Sequence, residues 1–245
     1  MTISRLRAGL IHLSISAVVA LIAVGVVFLL WYPEPLHVAV GVTEIFFIVL
    51  GVDVVIGPLL TTVVYRPGKK SLRFDLSTIA LLQLLAFSYG IWTVAQGRPV
   101  WLVYNADRFD LVQAYQIDQR KIHEATPEYR VASWTGPRWV SASRPESPEL
   151  RKTITMEAML AGIDVAQHPE LYRPLDEEAT SIRERSKPLD ELFRHNPQPL
   201  VEETLRRWSD ADAYLPMMAR AYPVTVLINK ASAKVVAIVE LNPWE

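Results

Sequence analysis

Three long apolar stretches dominate the first 96 residues of the chain, and few polar side chains interrupt them. They run from Leu10 to Tyr32, from Leu36 to Tyr65 and from Leu76 to Ala95. About 20 apolar residues are enough for a helix to cross the roughly 30 Å hydrocarbon core of a bilayer. The pattern therefore predicts a transmembrane domain of residues 1–96, with helices at about 10–32, 36–65 and 76–95.

The first apolar stretch is longer than the hydrophobic region of a cleavable signal peptide, which is about 7–15 residues. It also ends in Trp31-Tyr32-Pro33-Glu34-Pro35 rather than in a small-x-small cleavage site. We therefore expect it to be a retained helix. The loop around Glu34 is short, and we expect it only to turn the chain. The second stretch exceeds a minimal span and contains Pro58, which predicts a tilt or a kink.

Basic residues predict the orientation of these helices, because Lys and Arg collect in short cytoplasmic loops. Arg5 and Arg7 precede the first helix, and the loop around Glu34 carries no Lys or Arg. A second basic group lies between the second and third helices, at Arg66, Lys69, Lys70 and Arg73. The rule places the N-terminus and this basic loop in the cytoplasm. Three crossings of the inner membrane then place the rest of the chain outside, which in a Gram-negative bacterium is the periplasm.

Residues 97–245 carry most of the charged residues, and their apolar residues recur in the short segments that are typical of a folded domain. Strands are predicted at Val100–Tyr104 and Phe109–Ala114, and a shorter one within Val131–Ser141. Helices are predicted at Ser147–Gly162 and Pro199–Trp208, with short helices and loops between them. Two nearly continuous apolar strands, Tyr222–Ile228 and Lys234–Glu240, form a terminal hairpin pattern whose faces should both be covered. The expected fold is a periplasmic α+β domain with a mostly antiparallel sheet.

Composition excludes several functions for this chain. It contains no cysteine, so disulfides, thiolate metal sites and cysteine nucleophiles are excluded. Its net charge is −1, which gives no reason to expect a nucleic-acid partner. No phosphate loop, GxSxG or HExxH motif occurs, and no two histidines lie at ligand spacing. We therefore expect no enzyme, no catalytic residue, no cofactor and no metal site.

Asp53 is the most informative residue because it lies near the middle of the second helix. An ionised carboxylate at that depth costs about 2.5–3.5 kcal/mol, so such residues usually face protein and mark functional sites. Gly57 and Thr61 follow at intervals of four residues and share its face, while Pro58 removes one backbone donor. This pattern indicates a docking stripe for a partner's transmembrane helix. Equally, Gln83 or Thr78 could satisfy the carboxylate within the bundle.

Two further features are weaker candidates for partner contact. Glu44 lies nine residues before Asp53, about half a turn out of phase, so the two carboxylates should not line one ion path. Glu44 is nearer the outer interface and could instead contact a partner. The basic loop at 66–73 is a topology determinant, and it could also bind anionic lipid headgroups or a cytoplasmic machine.

Several stretches together resemble the type IV pilin accessory proteins, the TfpX/TfpZ group. They include Gly51-Val-Asp53-Val-Val-Ile-Gly57-Pro58, Lys69-Lys70-Ser-Leu-Arg-Phe-Asp75-Leu, Gln83, Tyr89-Gly90, Arg98–Phe109 and the terminal Leu241-Asn-Pro-Trp244. The likeness follows chain order and is densest from 51 to 112. It implies an inner-membrane protein that assists assembly or display of a type IV major pilin. It assigns no catalytic residue.

Three functional hypotheses follow from these observations. In the first, the Asp53–Gly57–Thr61 face binds the pilin helix and the outer domain contacts the pilin head, with other inner-membrane pilus components and lipids as further partners. In the second, the chain is a membrane-anchored sensor with a ligand-binding periplasmic domain. In the third, Asp53 and Glu44 serve ion coupling. Flat, exposed apolar surface would favour the first, and a deep pocket with converging polar groups the second.

Overall fold

A computed structural model describes residues 4–145 and 147–244 of the protein. Two compact units emerge from the contacts within the chain. The helical unit comprises Met1–Trp31 with Val42–Gly97, and the sheet unit comprises Tyr32–Gly41 with Arg98–Glu245. Residues 32–41 thus belong to the sheet unit, although they lie between two membrane-spanning segments in the sequence.

The helical unit contains three helices that are long and apolar enough to cross a membrane. These are the first span (Arg5–Trp31), the second span (Val42–Val64) and the third span (Leu72–Gln96). Their α-helical parts are α1 (Arg5–Gly25), α3 (Val42–Gly51), α4 (Gly57–Val64) and α5 (Leu72–Gln96). The predicted class, membrane helices followed by an α+β domain, is confirmed.

The second span changes from α-helical to π-helical geometry over Val52–Ile56, directly before the α4 turn that contains Pro58. Proline supplies no amide hydrogen, so the regular hydrogen-bond ladder cannot continue unchanged past it. A π-turn is one way in which a helix absorbs such a defect, and π-turns occur frequently at functional sites. Asp53 lies inside this π-helical segment.

The helix predicted over 36–65 is divided at Gly41, whose φ of +74° is left-handed and ends a helix. Before it, Leu36–Val40 forms the short helix α2 of the sheet unit. Leu36 and Ala39 are buried in the core of that unit. The carbonyl of Ala39 accepts hydrogen bonds from the amides of Ala221 and Tyr222 at 3.0 and 3.1 Å. We expected the segment around Glu34, between the first two spans, only to turn the chain, and this expectation was wrong.

The sheet has the strand order β4-β3-β1-β2-β6-β7-β8, and β5 pairs with β6 beside this path. The strands are β1 (Pro99–Asn105), β2 (Arg108–Gln113), β3 (Arg138–Ala142), β4 (Tyr172–Arg173), β5 (Lys187–Pro188), β6 (Ala213–Met218), β7 (Val224–Asn229) and β8 (Lys234–Val239). The pairs β1–β3 and β2–β6 are parallel. The other pairs are antiparallel, which confirms a mostly antiparallel sheet. The longer helices of this unit are α6 (Pro148–Ala161), α7 (Ala179–Arg185) and α8 (Gln198–Arg207).

Two strands differ from expectation for reasons that involve proline. The strand expected within 131–141 is shortened at its start, since Gly136 has φ +109° and Pro137 follows it. Strand β6 was not predicted, because Pro216 interrupts its apolar pattern. In the structure Pro216 lies between the part of β6 that pairs with β5 and the part that pairs with β2. A missing amide is tolerated at that point.

The terminal hairpin is confirmed as β7 and β8, and both faces of β7 are covered. Val224, Val226 and Ile228 point into one core, together with Leu36 and Ala39 of α2. On the opposite face, Leu227 packs in a second cluster. Alternation along one strand thus serves two cores, as the continuous apolar pattern requires.

Leu36→Ala should destabilise the sheet unit by about 2–5 kcal/mol, since it leaves a cavity in a packed core. Guanidinium unfolding of the full chain in detergent, followed by tryptophan fluorescence, measures this change. Leu160→Ala makes the same chemical change at an exposed site and should stay within about 0.5 kcal/mol. Equal unfolding midpoints for the two variants would show that α2 contributes nothing to the core.

Candidate functional site

The carboxylate of Asp53 is hydrogen-bonded to the third span. Nε2 of Gln83 donates to Oδ1 of Asp53 and to its backbone carbonyl, both at 3.1 Å. Because both partners accept, the amide of Gln83 presents its NH2 group to them. The hydroxyl of Thr78, the other partner considered, donates to the Phe74 carbonyl instead. The chain therefore satisfies part of the Asp53 side chain by itself.

Gly57 explains how Gln83 comes this close to the second span. A Cβ atom at Gly57 would collide with the side-chain amide of Gln83. Farther along the same two spans, a Cβ atom at Gly90 would collide with Val49. Small residues let helices approach closely where no water is present to drive their association. The helix that uses the narrow face at Gly57 belongs to this chain.

Thr61 contacts the first span, whereas Asp53 and Gly57 contact the third. Its side chain is buried, and its Oγ1 is hydrogen-bonded to Nδ1 of His12 at 2.6 Å. Pro58 is also buried, and its carbonyl accepts a hydrogen bond from Oγ1 of Thr62 at 2.8 Å. The residues predicted to form one docking stripe are thus divided between two intramolecular helix contacts. Asp53 and Gly57 meet Gln83, and Thr61 meets His12.

One acceptor in this arrangement stays unsatisfied. Within the described part of the chain, Oε1 of Gln83 is buried and has no hydrogen-bond partner. Asp53 and Gln83 both line a groove of about 490 Å³ between the second and third spans. The other residues of the groove are mainly apolar, among them Ile48, Val52 and Ala86. An apolar groove with a carboxylate in its wall fits an apolar helix that carries a hydrogen-bond donor.

Glu44 stands apart from this groove. It is exposed and lies in the first turn of α3, where a carboxylate complements the positive end of the helix dipole. The groove is lined by Asp53 but not by Glu44. The two carboxylates consequently do not share the cavity that an ion path would need.

The basic loop is exposed throughout, and Gly68 forms its turn with φ +80°. Nζ of Lys69 pairs with Asp75 at 2.7 Å. Arg66, Lys70 and Arg73 also present positive charge on this loop. Such a cluster can interact with anionic lipid headgroups.

The sheet unit exposes an apolar surface on α6. Met159 and Leu160 are 81% and 82% exposed, and Met156 lies one turn earlier. On the other side of the helix Ile154 is buried, as its spacing predicted. We call Met156, Met159 and Leu160 the α6 patch. Exposed apolar groups of this kind are typical of surfaces that bind another protein.

Sequence reasoning missed two of these features. The sequence analysis gave His12 no role, yet a polar side chain in the first apolar stretch is itself a sign of an interhelical partner. The α6 patch was missed because only the bounds of its helix were predicted. Met156, Met159 and Leu160 follow a second helical spacing, which was the available signal.

Comparison with known proteins identifies relatives along nearly the whole chain. A sequence profile described as "Fimbrial assembly protein FimB" matches residues 2–41. The fimbrial assembly proteins of Dichelobacter nodosus serogroups I and E1 are 30% and 31% identical over 96% of this chain and 94% of their own length. That of serogroups C1 and C2 is 39% identical over 40% of this chain and 76% of its own length. No solved structure matches.

Gly57→Leu should lower the stability of the helical unit by about 1–3 kcal/mol, because the larger side chain displaces the Gln83 amide. Thermal unfolding in detergent measures this change. Gly51→Leu is the matched control on the same span, since a Cβ at Gly51 meets nothing within 4 Å. Equal losses in both variants would exclude a specific Gly57–Gln83 contact.

Proposed function

Because the chain belongs to the fimbrial assembly protein family, we propose that it is a bacterial inner-membrane accessory protein for a type IV major pilin. In this role it assists pilus assembly or surface display by binding pilin within the membrane and in the periplasm. Full-length similarity to two fimbrial assembly proteins supports a role in pilus assembly. Their names favour this role over the ligand sensor.

The proposed topology has a cytoplasmic N-terminus and a periplasmic sheet unit. Arg5 and Arg7 at the start of the first span, together with the basic residues of the 66–73 loop, support it. A second argument is independent of charge. Residues 32–41 follow the first span and residues 98–245 follow the third, yet they share one core. Segments that share a core lie on one side of a membrane, as three crossings require.

The observation that carries the membrane half of the proposal is the apolar groove with the carboxylate of Asp53 in its wall. In this mechanism the apolar helix of a pilin lies in the groove between the second and third spans. A donor on that helix bonds to the half-buried carboxylate of Asp53, a contact that contributes about 0.6–2 kcal/mol. Gly57 acts indirectly, by letting Gln83 reach this position.

The periplasmic half of the proposal assigns the α6 patch to the pilin head. Its methionines are unbranched and adapt to surfaces of different shape. Exposed apolar side chains are what a protein-binding role needs. The basic loop completes the assignment by binding anionic lipids at about 1 kcal/mol per basic residue, or by contacting other pilus components in the inner membrane.

Ala86→Trp tests the groove, since an indole at this wall occupies the space that the pilin helix needs. We expect pilin co-purified from membranes to fall about tenfold, corresponding to about 1.4 kcal/mol, and surface pili to decrease with it. Ala80→Trp is the matched control, because Ala80 is exposed on the same span and does not line the groove.

A photo-crosslinking residue placed at position 86 and at position 80 gives a second measurement in intact cells. Crosslinks to pilin should form at 86 and be absent or weak at 80. Unchanged pilin recovery from Ala86→Trp, or equal crosslinking at both positions, would exclude this groove as the binding site. It would leave the family assignment intact.

Met159→Ser combined with Leu160→Ser tests the α6 patch. Since both side chains are exposed, unfolding stability should change by less than about 0.5 kcal/mol. Pilin co-purification should nevertheless decrease. Val131→Ser, at another exposed apolar residue of the sheet unit, should leave pilin binding unchanged. Normal recovery of pilin by the double variant would contradict a contact with the pilin head at α6.

A further inference from the structure

A buried histidine in the sheet unit lies among three carboxylates. His168 is 4% exposed, and its Nδ1 lies 3.1 Å from Oε1 of Glu170 and 3.5 Å from Oδ2 of Asp118. In the tautomer with a proton on Nδ1, this nitrogen donates to Glu170, and Nε2 is the ring atom left to bind another group.

Nε2 of His168 faces a carboxylate oxygen. Within the described residues, Nε2 of His168 is buried and makes no hydrogen bond. The carboxylate oxygen Oε2 of Glu157 lies 3.7 Å away from it. Nε2 and Oε2 attract each other only when a proton or a cation lies between them. A buried polar atom without a partner in a native fold needs an explanation, and a bound ion is one.

The local charge balance leads to the same requirement. Arg120 donates to Asp118 at 2.6–2.9 Å and to Oε1 of Glu157 at 2.6 Å. Three carboxyl groups lie around His168, and one guanidinium, that of Arg120, pairs with two of them. Lys121 also lines the adjacent cavity, and the structure records no ion pair between it and these carboxylates.

The space and the distances fit a metal ion. Asp118, Glu157 and His168 each offer a ligand atom, and these atoms lie within 4.8 Å of one another. Typical bonds of about 2.1 Å from Nε2 and Oε2 would meet at an angle of about 120°, close to that of a tetrahedral site. The adjoining cavity of about 90 Å³ has room for two or three water ligands, at about 30 Å³ each.

We propose that His168, Glu157 and Asp118 bind one divalent transition-metal cation of the zinc class. The imidazole nitrogen favours such an ion over Ca²⁺ or Mg²⁺, which prefer all-oxygen sites. Glu170 acts on the far side of the ring, where its acceptor fixes the tautomer of His168, an arrangement common behind metal-bound histidines. The ion would join α6, which carries Glu157, to the segments that carry Asp118 and His168.

This site has no signature in the sequence. The expectation of no metal site came from the absence of histidines at ligand spacing, whereas these three ligands lie in separate elements. Only the fold brings them together. The further consequence is local, because the metal would fix α6 and so the orientation of Met156, Met159 and Leu160.

Calorimetric titration of the full chain in detergent, stripped of metal with a chelator, tests the proposal. ZnCl2 should bind at one site, and MgCl2 should not compete at millimolar concentration. Glu157→Gln and His168→Gln should each weaken Zn²⁺ binding at least about tenfold, as expected for loss of a ligand. His123→Gln is the control, since His123 is exposed and has only Glu124 beside it.

A second measurement covers the case in which His168→Gln fails to fold. Cobalt(II) added to the unsubstituted protein should give a tetrahedral absorption spectrum, and Glu157→Gln, altered at the helix surface, should lose it. Absence of Zn²⁺ binding to the unsubstituted protein would overturn the proposal and leave a proton as the missing charge. Equal Zn²⁺ affinity in Glu157→Gln and His123→Gln would overturn it as well.

Discussion

The hydrogen bond from Gln83 to Asp53 sets the arrangement of the second and third spans. In the hydrocarbon core of a membrane no water is present to form hydrogen bonds with a carboxylate or an amide, so each must find its partner in the protein. Gly57 removes the side chain that would keep Gln83 away, and the π-helical segment places Asp53 where the amide reaches it. One amide cannot satisfy every acceptor, and Oε1 of Gln83 stays unmatched beside an apolar groove. The same contact thus stabilises the bundle and holds the half-buried carboxylate of Asp53 in the wall of that groove.

A second requirement governs the sheet unit, whose core is assembled from two distant parts of the chain. Strands β1, β2, β6 and β7 supply most of the apolar surface, and α2 supplies Leu36 and Ala39. Backbone hydrogen bonds also connect α2 to this unit, since the Ala39 carbonyl accepts hydrogen bonds from the amides of Ala221 and Tyr222. A buried carbonyl needs such partners. The short stretch between the first two spans is therefore a structural element of the sheet unit.

The sequence predicts those parts of the fold that depend on local information. Hydropathy defines the spans, because their length is set by the bilayer, and the terminal hairpin follows from two nearly continuous apolar runs on either side of a turn. It does not reveal α2, since Leu36–Val40 merely continues an apolar run until Gly41 ends it. Strand β6 is hard to recognise because it contains Pro216. The missing amide is tolerated because Pro216 lies between the part of β6 that pairs with β5 and the part that pairs with β2. Among the candidate sites, Asp53 was identified by its depth in an apolar run, and Gln83 and Thr78 were its two possible partners in this chain, but only the structure distinguishes between them. The cluster at His168 depends on tertiary contacts alone.

The composition of the sheet unit from residues 32–41 and 98–245 bears on experiments that recombine relatives. A hybrid that takes the region after the third span from one homologue, and everything before it from another, would place a foreign α2 against that core. Mismatched packing at Leu36 or Ala39 could then be mistaken for a loss of function. Grafts that transfer both stretches together keep the native interior, so that any change in function reports on the exposed surfaces.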